Sequence, residues 1–282
     1  MEKGVGTMPV ASVNGTEISY QVHGEGEPLV LVCGTGQRAD SWSFLGMVTE
    51  PVEQGYQVVT FDNRGMAPSG CPEGPYTVEM MAEDTVGLIE HLGLSQVRMA
   101  GISLGGFVTF QVARSRPDLI RSAVCIAGLV GGSRYVQMLT DARVESLRDG
   151  HRMPAVLDSL LSLPGTFAPA TLQNDAVVEA MTAMMDSVFG QWSGPGRQGQ
   201  YEADTDWIRR STEWQEQALA ETTVPLLVMA HEFDLFFPPT LLSWGAQRLP
   251  AGQFLEIAGC GHAGVEDIAG HRDAAMKFFA SL

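Results

Sequence analysis

Cysteine is scarce in this chain, with four residues in 282. Cys33, Cys71, Cys125 and Cys260 form no C-x-x-C pair and no His/Cys cluster at ligand spacing, which excludes a zinc framework and a disulfide scaffold. Cys33 and Cys125 sit in or at the end of apolar runs, where a free thiol packs as a small hydrophobe. No apolar stretch approaches the ~18 residues needed to cross a bilayer. The start Met1-Glu2-Lys3-Gly4 is not followed by the apolar segment of a signal peptide. The expected location is therefore cytoplasmic. Basic residues are few as well, 17 against 33 acidic ones, for a net charge of −16. Such a surface repels nucleic-acid backbones and anionic headgroups, so neither nucleic acid nor membrane is an expected partner. Internal repeats and low-complexity segments are absent.

What is present is 45% hydrophobic residues, 32 glycines and only 18% charged residues. That balance suits a globular α/β protein with tight loops. The length allows one sizeable core with an insertion, or two compact units. Near the start, two alternating runs flank Asn14-Gly15, a strong hairpin signal. Continuous apolar runs then follow at Pro28–Cys33, Gln57–Phe61, Val97–Ala100, Ala123–Ala127 and Pro225–Ala230, with a shorter last member at Phe254–Ala258. Runs of this kind are buried on both faces of a parallel sheet. Helical periodicity lies between them: from a Thr77 cap to a Gly93 stop, from Ser103 to Arg114, and from Val265 to Ala280. The alternation predicts an α/β fold with a mostly parallel central sheet flanked by helices. One interval, residues 131–222, contains helical patterns and no buried strand. It reads as a helical lid inserted before the last two strands, dividing the core into residues 1–130 and 223–282.

The chemistry centres on Gly101-Ile102-Ser103-Leu104-Gly105, which follows a buried strand and opens a helix. In that setting the pattern describes a nucleophile elbow, whose strained turn lifts a serine Oγ clear of the sheet. The helix N-terminus adds partial positive charge beneath a developing oxyanion. A serine nucleophile needs a base, and the base needs an orienting acid. His262 stands on a glycine-flanked loop between the last strand and the last helix. Asp234 lies just past a buried strand, with Glu232 as a competing acid on the same loop. His23, His91, His151, His231 and His271 read as solvated or structural, although His231 abuts the acid loop. An oxyanion hole needs two fixed N–H donors, each worth roughly 3 kcal/mol. Leu104 supplies one, and the loop Cys33-Gly34-Thr35-Gly36 supplies the other at Thr35. This loop lacks the lysine and spacing of a phosphate-binding fingerprint.

These motifs together resemble the α/β-hydrolase superfamily, in its lid-containing, serine-nucleophile branch. The resemblance covers nearly the whole chain outside the lid. It rests on Cys33-Gly34-Thr35-Gly36, Phe61-Asp62-Asn63-Arg64-Gly65, Gly101–Gly106, Asp234 and Gly261-His262. The chain order serine, aspartate, histidine is the order this fold uses. Two departures stand out. Cys33-Gly34 replaces a usual His-Gly whose histidine supports the oxyanion loop, and Ala67 replaces a glycine after Arg64-Gly65. Asp62 and Arg64 are expected to form an ion pair holding their loop.

The lid is rich in large apolar residues, among them Phe167, Met181, Met184, Met185, Phe189, Trp192 and Trp207. Phe233, Leu235, Phe236 and Phe237 surround the acid, and Trp42 follows the oxyanion loop. Trp42, Phe233, Phe236, Met184 and Trp192 are the expected substrate-binding side chains. The expected partner is a hydrophobic small-molecule substrate, an ester, thioester or lactone cleaved through an acyl-Ser103 intermediate. No metal or cofactor is called for. An alternative keeps the same residues for elimination, C–C bond cleavage, cyclisation or cofactor-free peroxidation, with His262 as general base. A catalytically silent ligand-binding protein is the third reading.

Overall fold

The computed structural model describes residues 8–148, 151, 153–190, 192 and 194–282. Among them, eight strands form one sheet: β1 (Val10–Val13), β2 (Thr16–His23), β3 (Glu27–Val32), β4 (Tyr56–Phe61), β5 (Val97–Ile102), β6 (Ile120–Ile126), β7 (Leu226–His231) and β8 (Gly252–Ile257). Their spatial order is β1-β2-β4-β3-β5-β6-β7-β8. The first two strands run antiparallel, β2 against β4, and every later neighbour is parallel. The hairpin turns on Asn14 and Gly15 at φ 45° and 72°, the left-handed pair a two-residue connection requires.

Helices cover both faces, in chain order α1 (Ser41–Phe44), α2 (Thr49–Glu53), α3 (Val78–His91), α4 (Leu104–Ser115), α5 (Arg134–Leu147), α6 (Ala155–Thr166), α7 (Pro169–Leu172), α8 (Asp175–Gly190), α9 (Gly194–Ile208), α10 (Thr212–Glu221), α11 (Pro239–Ala246) and α12 (Ile268–Ala280). Thr77 caps α3 by accepting from the Met80 N–H, and Gly93 stands in the left-handed region just past its end. The apolar runs of β3, β5 and β7 are buried almost throughout, as strands covered on both faces must be. One core layer joins α3 and α4 to the sheet through Met81, Leu88, Phe107 and Phe110. A second gathers Leu31, Val58, Val124, Phe278 and Phe279 on the other face. Among the described residues, helices α5 to α10 all fall between β6 and β7.

Two expectations need correction. The last strand, β8, is not a buried member: it is the sheet edge, paired only with β7, and Phe254 is 37% exposed. Nor does Arg64 pair with Asp62. Its guanidinium grips Asp84 of α3 through Nε and Nη2, both at 2.5 Å, while Asp62 Oδ1 accepts the Ala39 N–H at 2.8 Å. Arg64 thereby ties the β4 loop to a helix. Asp62, with a backbone amide for a partner, is pushed up to about 6 by burial.

Candidate active site

Ser103 stands between β5 and α4 at φ 56°, ψ −121°, a backbone conformation that costs an L-residue and persists only where surrounding packing enforces it. The packing is visible at the two flanking glycines. A Cβ on Gly101 would lie 2.0 Å from the Gly105 carbonyl oxygen, and one on Gly105 would lie 2.1 Å from that of Val32. Strand and helix therefore approach to a distance that only glycine permits. The Ser103 N–H donates to the Ile126 carbonyl at 2.9 Å, fixing the elbow to β6.

His262, on the loop after β8, places Nε2 3.0 Å from Ser103 Oγ and Nδ1 2.8 Å from Asp234 Oδ2. Asp234 is 2% exposed, and its other oxygen accepts the backbone N–H groups of Phe236 and Phe237 at 2.8 and 2.9 Å. Those two bonds fix the carboxylate, which in turn sets the imidazole tautomer with its proton on Nδ1 and its lone pair toward the serine. Glu232 points away: it is exposed and accepts the Gly259 N–H at 2.8 Å, bracing the histidine loop. The rings of Phe236 and Phe237 flank the imidazole at 4.9 and 5.5 Å between centroids.

The loop after β3 passes directly over the serine, for a Cβ on Gly34 would sit 3.2 Å from Ser103 Cβ. Among the described residues, the backbone N–H groups of Thr35 and Leu104 have no acceptor. Their neighbours do. The Gly34 N–H donates to Gln37 Oε1 at 2.8 Å, the Gly36 N–H to Gln200 Oε1 at 2.9 Å, and Asn63 Nδ2 to the Cys33 carbonyl at 2.8 Å. Gln37, Asn63 and Gln200 thus brace this loop, while the Cys33 side chain lies in the core.

The site opens into a cavity of about 280 Å³. On the sheet side it meets Thr35, Phe44, Leu45, Ser103, Phe236 and His262. From the helical insertion it meets Val136, Thr140, Arg143, Phe167, Met181, Asp204 and Ile208. Most of this wall is apolar, and among the described residues Arg143 and Asp204 are the charged exceptions on the insertion side. Asp204 Oδ2 accepts the Thr35 hydroxyl at 2.7 Å. Burial pushes its carboxyl up to about 7, against the opposing pull of the Thr35 bond and of nearby Arg143 and His262.

The sequence profile described as alpha/beta hydrolase fold matches residues 27–267. The chain belongs to the α/β hydrolase family. It is 31% identical over 269 residues to a protein of Mycobacterium tuberculosis H37Rv named as a non-heme bromoperoxidase, BpoC, spanning 94% of this chain and 98% of that one. The crystal structure of BpoC superimposes with a TM-score of 0.81, over 94% and 96% of the two chains. A protein of Azorhizobium caulinodans named as the carbamate hydrolase RutD is 25% identical over 91% of this chain and 92% of its own. The enol-lactonase of Burkholderia xenovorans LB400, 23% identical, shares the fold with a TM-score of 0.82, over 96% of this chain and all of that one. Hydrolase names recur among these relatives, and hydrolysis is plausible chemistry for an enzyme of this family.

Within the α/β hydrolase frame, the expected substrate-binding set divides. Phe236 lines the cavity. Trp42 does not: it is 1% exposed in the cluster holding Cys33, Ile102 and Met276, because α1 and the residue after it turn Ser41, Phe44 and Leu45 toward the cavity instead. Phe233 is 37% exposed and points away, since the turn that delivers the Phe236 and Phe237 amides to Asp234 throws its neighbours outward. Trp192 is buried as a strut, its Nε1 donating to the Gly65 carbonyl at 2.9 Å and its ring edge-on to Tyr201. The Met184 side chain lies outside the described residues, as do those of Met185 and Phe189. His231 is fully buried, with Nδ1 3.2 Å from the His262 carbonyl and Nε2 2.7 Å from His271. Burial pushes it down to about 3, which leaves it a neutral prop under the His262 loop. Cys260 is buried and its thiol is pushed up to about 11, so it stays protonated. Among the described residues no cluster of three His, Cys, Asp or Glu is placed to hold a metal, and no helix is long and apolar enough to cross a membrane.

Gln37, Asn63, Gln200, Arg143 and Asp204 were not legible as site residues. The first two follow family motif positions closely enough to invite attention. The last three belong to the insertion, where no local pattern marks them.

Proposed function

We propose that the protein is a serine hydrolase that cleaves an ester, thioester or lactone of a largely hydrophobic small molecule through an acyl-Ser103 intermediate. The observation that carries this reading is the unbroken line Ser103 Oγ to His262 to Asp234, opening onto an apolar cavity. His262 Nε2 takes the Ser103 proton as Oγ attacks the carbonyl carbon. The amides of Thr35 and Leu104 receive the developing oxyanion. Preorganised donors in a water-poor site are the largest electrostatic contribution such a reaction has. His262 then returns the proton to the departing alcohol or thiol, and the same base activates water to release the acid. The helical insertion acts as a cap over this cavity.

The test joins labelling to turnover. Treatment with a fluorophosphonate is expected to give one adduct, on Ser103, and a chain-length series of aryl esters is expected to be hydrolysed. Folded protein that forms no adduct contradicts the proposal. The name of the BpoC relative favours a second use of the same residues, transfer of the acyl group from Ser103 to hydrogen peroxide instead of water. Peroxyacid formation from the same esters in peroxide-containing buffer, absent in Ser103→Ala, distinguishes it from hydrolysis alone.

A further inference from the structure

Arg143 is one of a few charged residues on the wall of a mostly apolar cavity. It projects from α5, and its side chain is only 13% exposed. A guanidinium is always charged and carries five N–H donors. Nε donates to Asp158 Oδ1 at 3.0 Å and Nη2 to Ser162 Oγ at 2.5 Å. Among the described residues, nothing accepts from Nη1 or from the second Nη2 hydrogen. A donor on the cavity wall with no protein acceptor is available to a ligand that enters. The Tyr201 ring lies 5.0 Å from the guanidinium carbon, so the plane is held while one N–H edge stays open.

Asp158 also accepts from Arg197 Nη2, at 2.6 Å, so its two oxygens are divided between Arg143 and a second guanidinium. Asp204 is the next acid on the wall, and burial raises its carboxyl to about 7. The other arginine at the cavity, Arg38, is engaged elsewhere, with Asp40 and the Ala67 carbonyl. A protein of net charge −16 thus presents a guanidinium on the wall of the cavity that holds its serine.

From this geometry we propose that Arg143 is a specificity residue: its open Nη1/Nη2 edge receives a free carboxylate carried by the substrate, away from the bond being cleaved. The substrate class narrows to hydrophobic esters or lactones with one anionic end. Two parallel N–H donors suit a carboxylate in bidentate fashion. The inference rests on the hydrolase reading. The whole-molecule charge governs approach, whereas the cavity wall governs what is held.

The test compares two 4-nitrophenyl esters of adipic acid, one with the distal carboxylate free and one with it capped as a methyl ester. The wild-type protein is expected to prefer the free acid by at least about 10-fold in kcat/KM, chiefly through KM, by the strength of a buried charge-assisted pair. Arg143→Gln is expected to erase that ratio, and Arg143→Lys to keep part of it. Equal or reversed preference in the wild type overturns the proposal, whatever the variants do. A separate arm needs no turnover: calorimetry of Ser103→Ala with monomethyl adipate against dimethyl adipate. A binding preference for the monoester without hydrolysis of any ester by wild type would retain the Arg143 site and discard the hydrolase reading. Hydrolysis of both esters at one rate would do the reverse.

Discussion

The two walls of the cavity are built by different means. On the sheet side the backbone does the positioning. Ser103 is set by its own φ of 56°, Asp234 by two amides of the following turn, and the Thr35 and Leu104 donors are themselves main-chain groups. On the insertion side side chains hold one another: Arg143 with Asp158, Asp158 with Arg197, Asp204 with Thr35, Gln200 with the Gly36 amide. Backbone positioning needs particular residues at fixed offsets, because glycine, strand and helix start must coincide. Side-chain networks need only that distant residues converge. The first wall can run one reaction across a family while the second is rebuilt for each substrate.

Substitutions separate the walls by the size and kind of their effects. The largest loss is expected from Ser103→Ala, a fall in kcat of about 10⁶-fold, as when any triad member acting as nucleophile is removed. Asp234→Asn is expected to cost on the order of 10⁴-fold, through loss of the proper imidazole tautomer, with KM for the same ester little changed. Steady-state kinetics on an aryl ester measure both. Across the cavity, Gln200→Ala removes the acceptor for the Gly36 N–H and the donor to the Arg64 carbonyl, at 2.9 and 2.8 Å. This frees the Thr35 loop from the insertion. A displacement of about 1 Å costs up to about 100-fold, so kcat is expected to fall by less than that while fluorophosphonate labelling of Ser103 persists. A loss as large as that of Ser103→Ala would erase the distinction between the walls.

The smallest effect is one of stability and pH. Asp204 is raised by burial from an ordinary value near 3.8 to about 7, so folding favours its neutral form. Its stabilising contribution is complete below pH 4 and is lost as pH rises toward 7. Within that window each pH unit removes up to about 1.4 kcal/mol. Asp204→Asn keeps an acceptor for Thr35 without the charge. Its thermal midpoint is expected to change less between pH 4.5 and 7.5 than that of the wild type. Parallel curves for the two proteins would show that Asp204 does not carry the buried charge assigned to it.

The same division explains how much could be read from the chain. Asn14-Gly15, the Thr77 cap and the apolar runs of β3, β5 and β7 obey local rules, and the α/β architecture follows from them. The elbow is legible for the same reason, since glycine on both sides of Ser103 is demanded by contacts of about 2 Å that any side chain would violate. Burial of β8 was misjudged because composition does not say which strand stands at the edge. Trp42, Phe233 and Trp192 were misplaced for a related reason: a large apolar side chain near a site in sequence serves core, surface or cavity equally well, and only packing chooses. Arg143, Asp158 and Asp204 are separated by 15 and 46 residues along helices with ordinary polar faces. Their meeting is a property of the tertiary structure alone. The Arg64 partner shows the principle in miniature, for the nearer acid Asp62 was passed over in favour of Asp84, 20 residues on.

An acyl group carried by Ser103 is the intermediate on which the proposed hydrolysis depends. Rapid mixing of the protein with a 4-nitrophenyl ester, quenched in acid within the first turnover and followed by peptide mass analysis, tests this directly. The expected result is a burst of nitrophenolate matched by an acyl mass on the peptide containing Ser103, with neither in Ser103→Ala. An acyl mass on another residue, or undiminished ester turnover in Ser103→Ala, would contradict it.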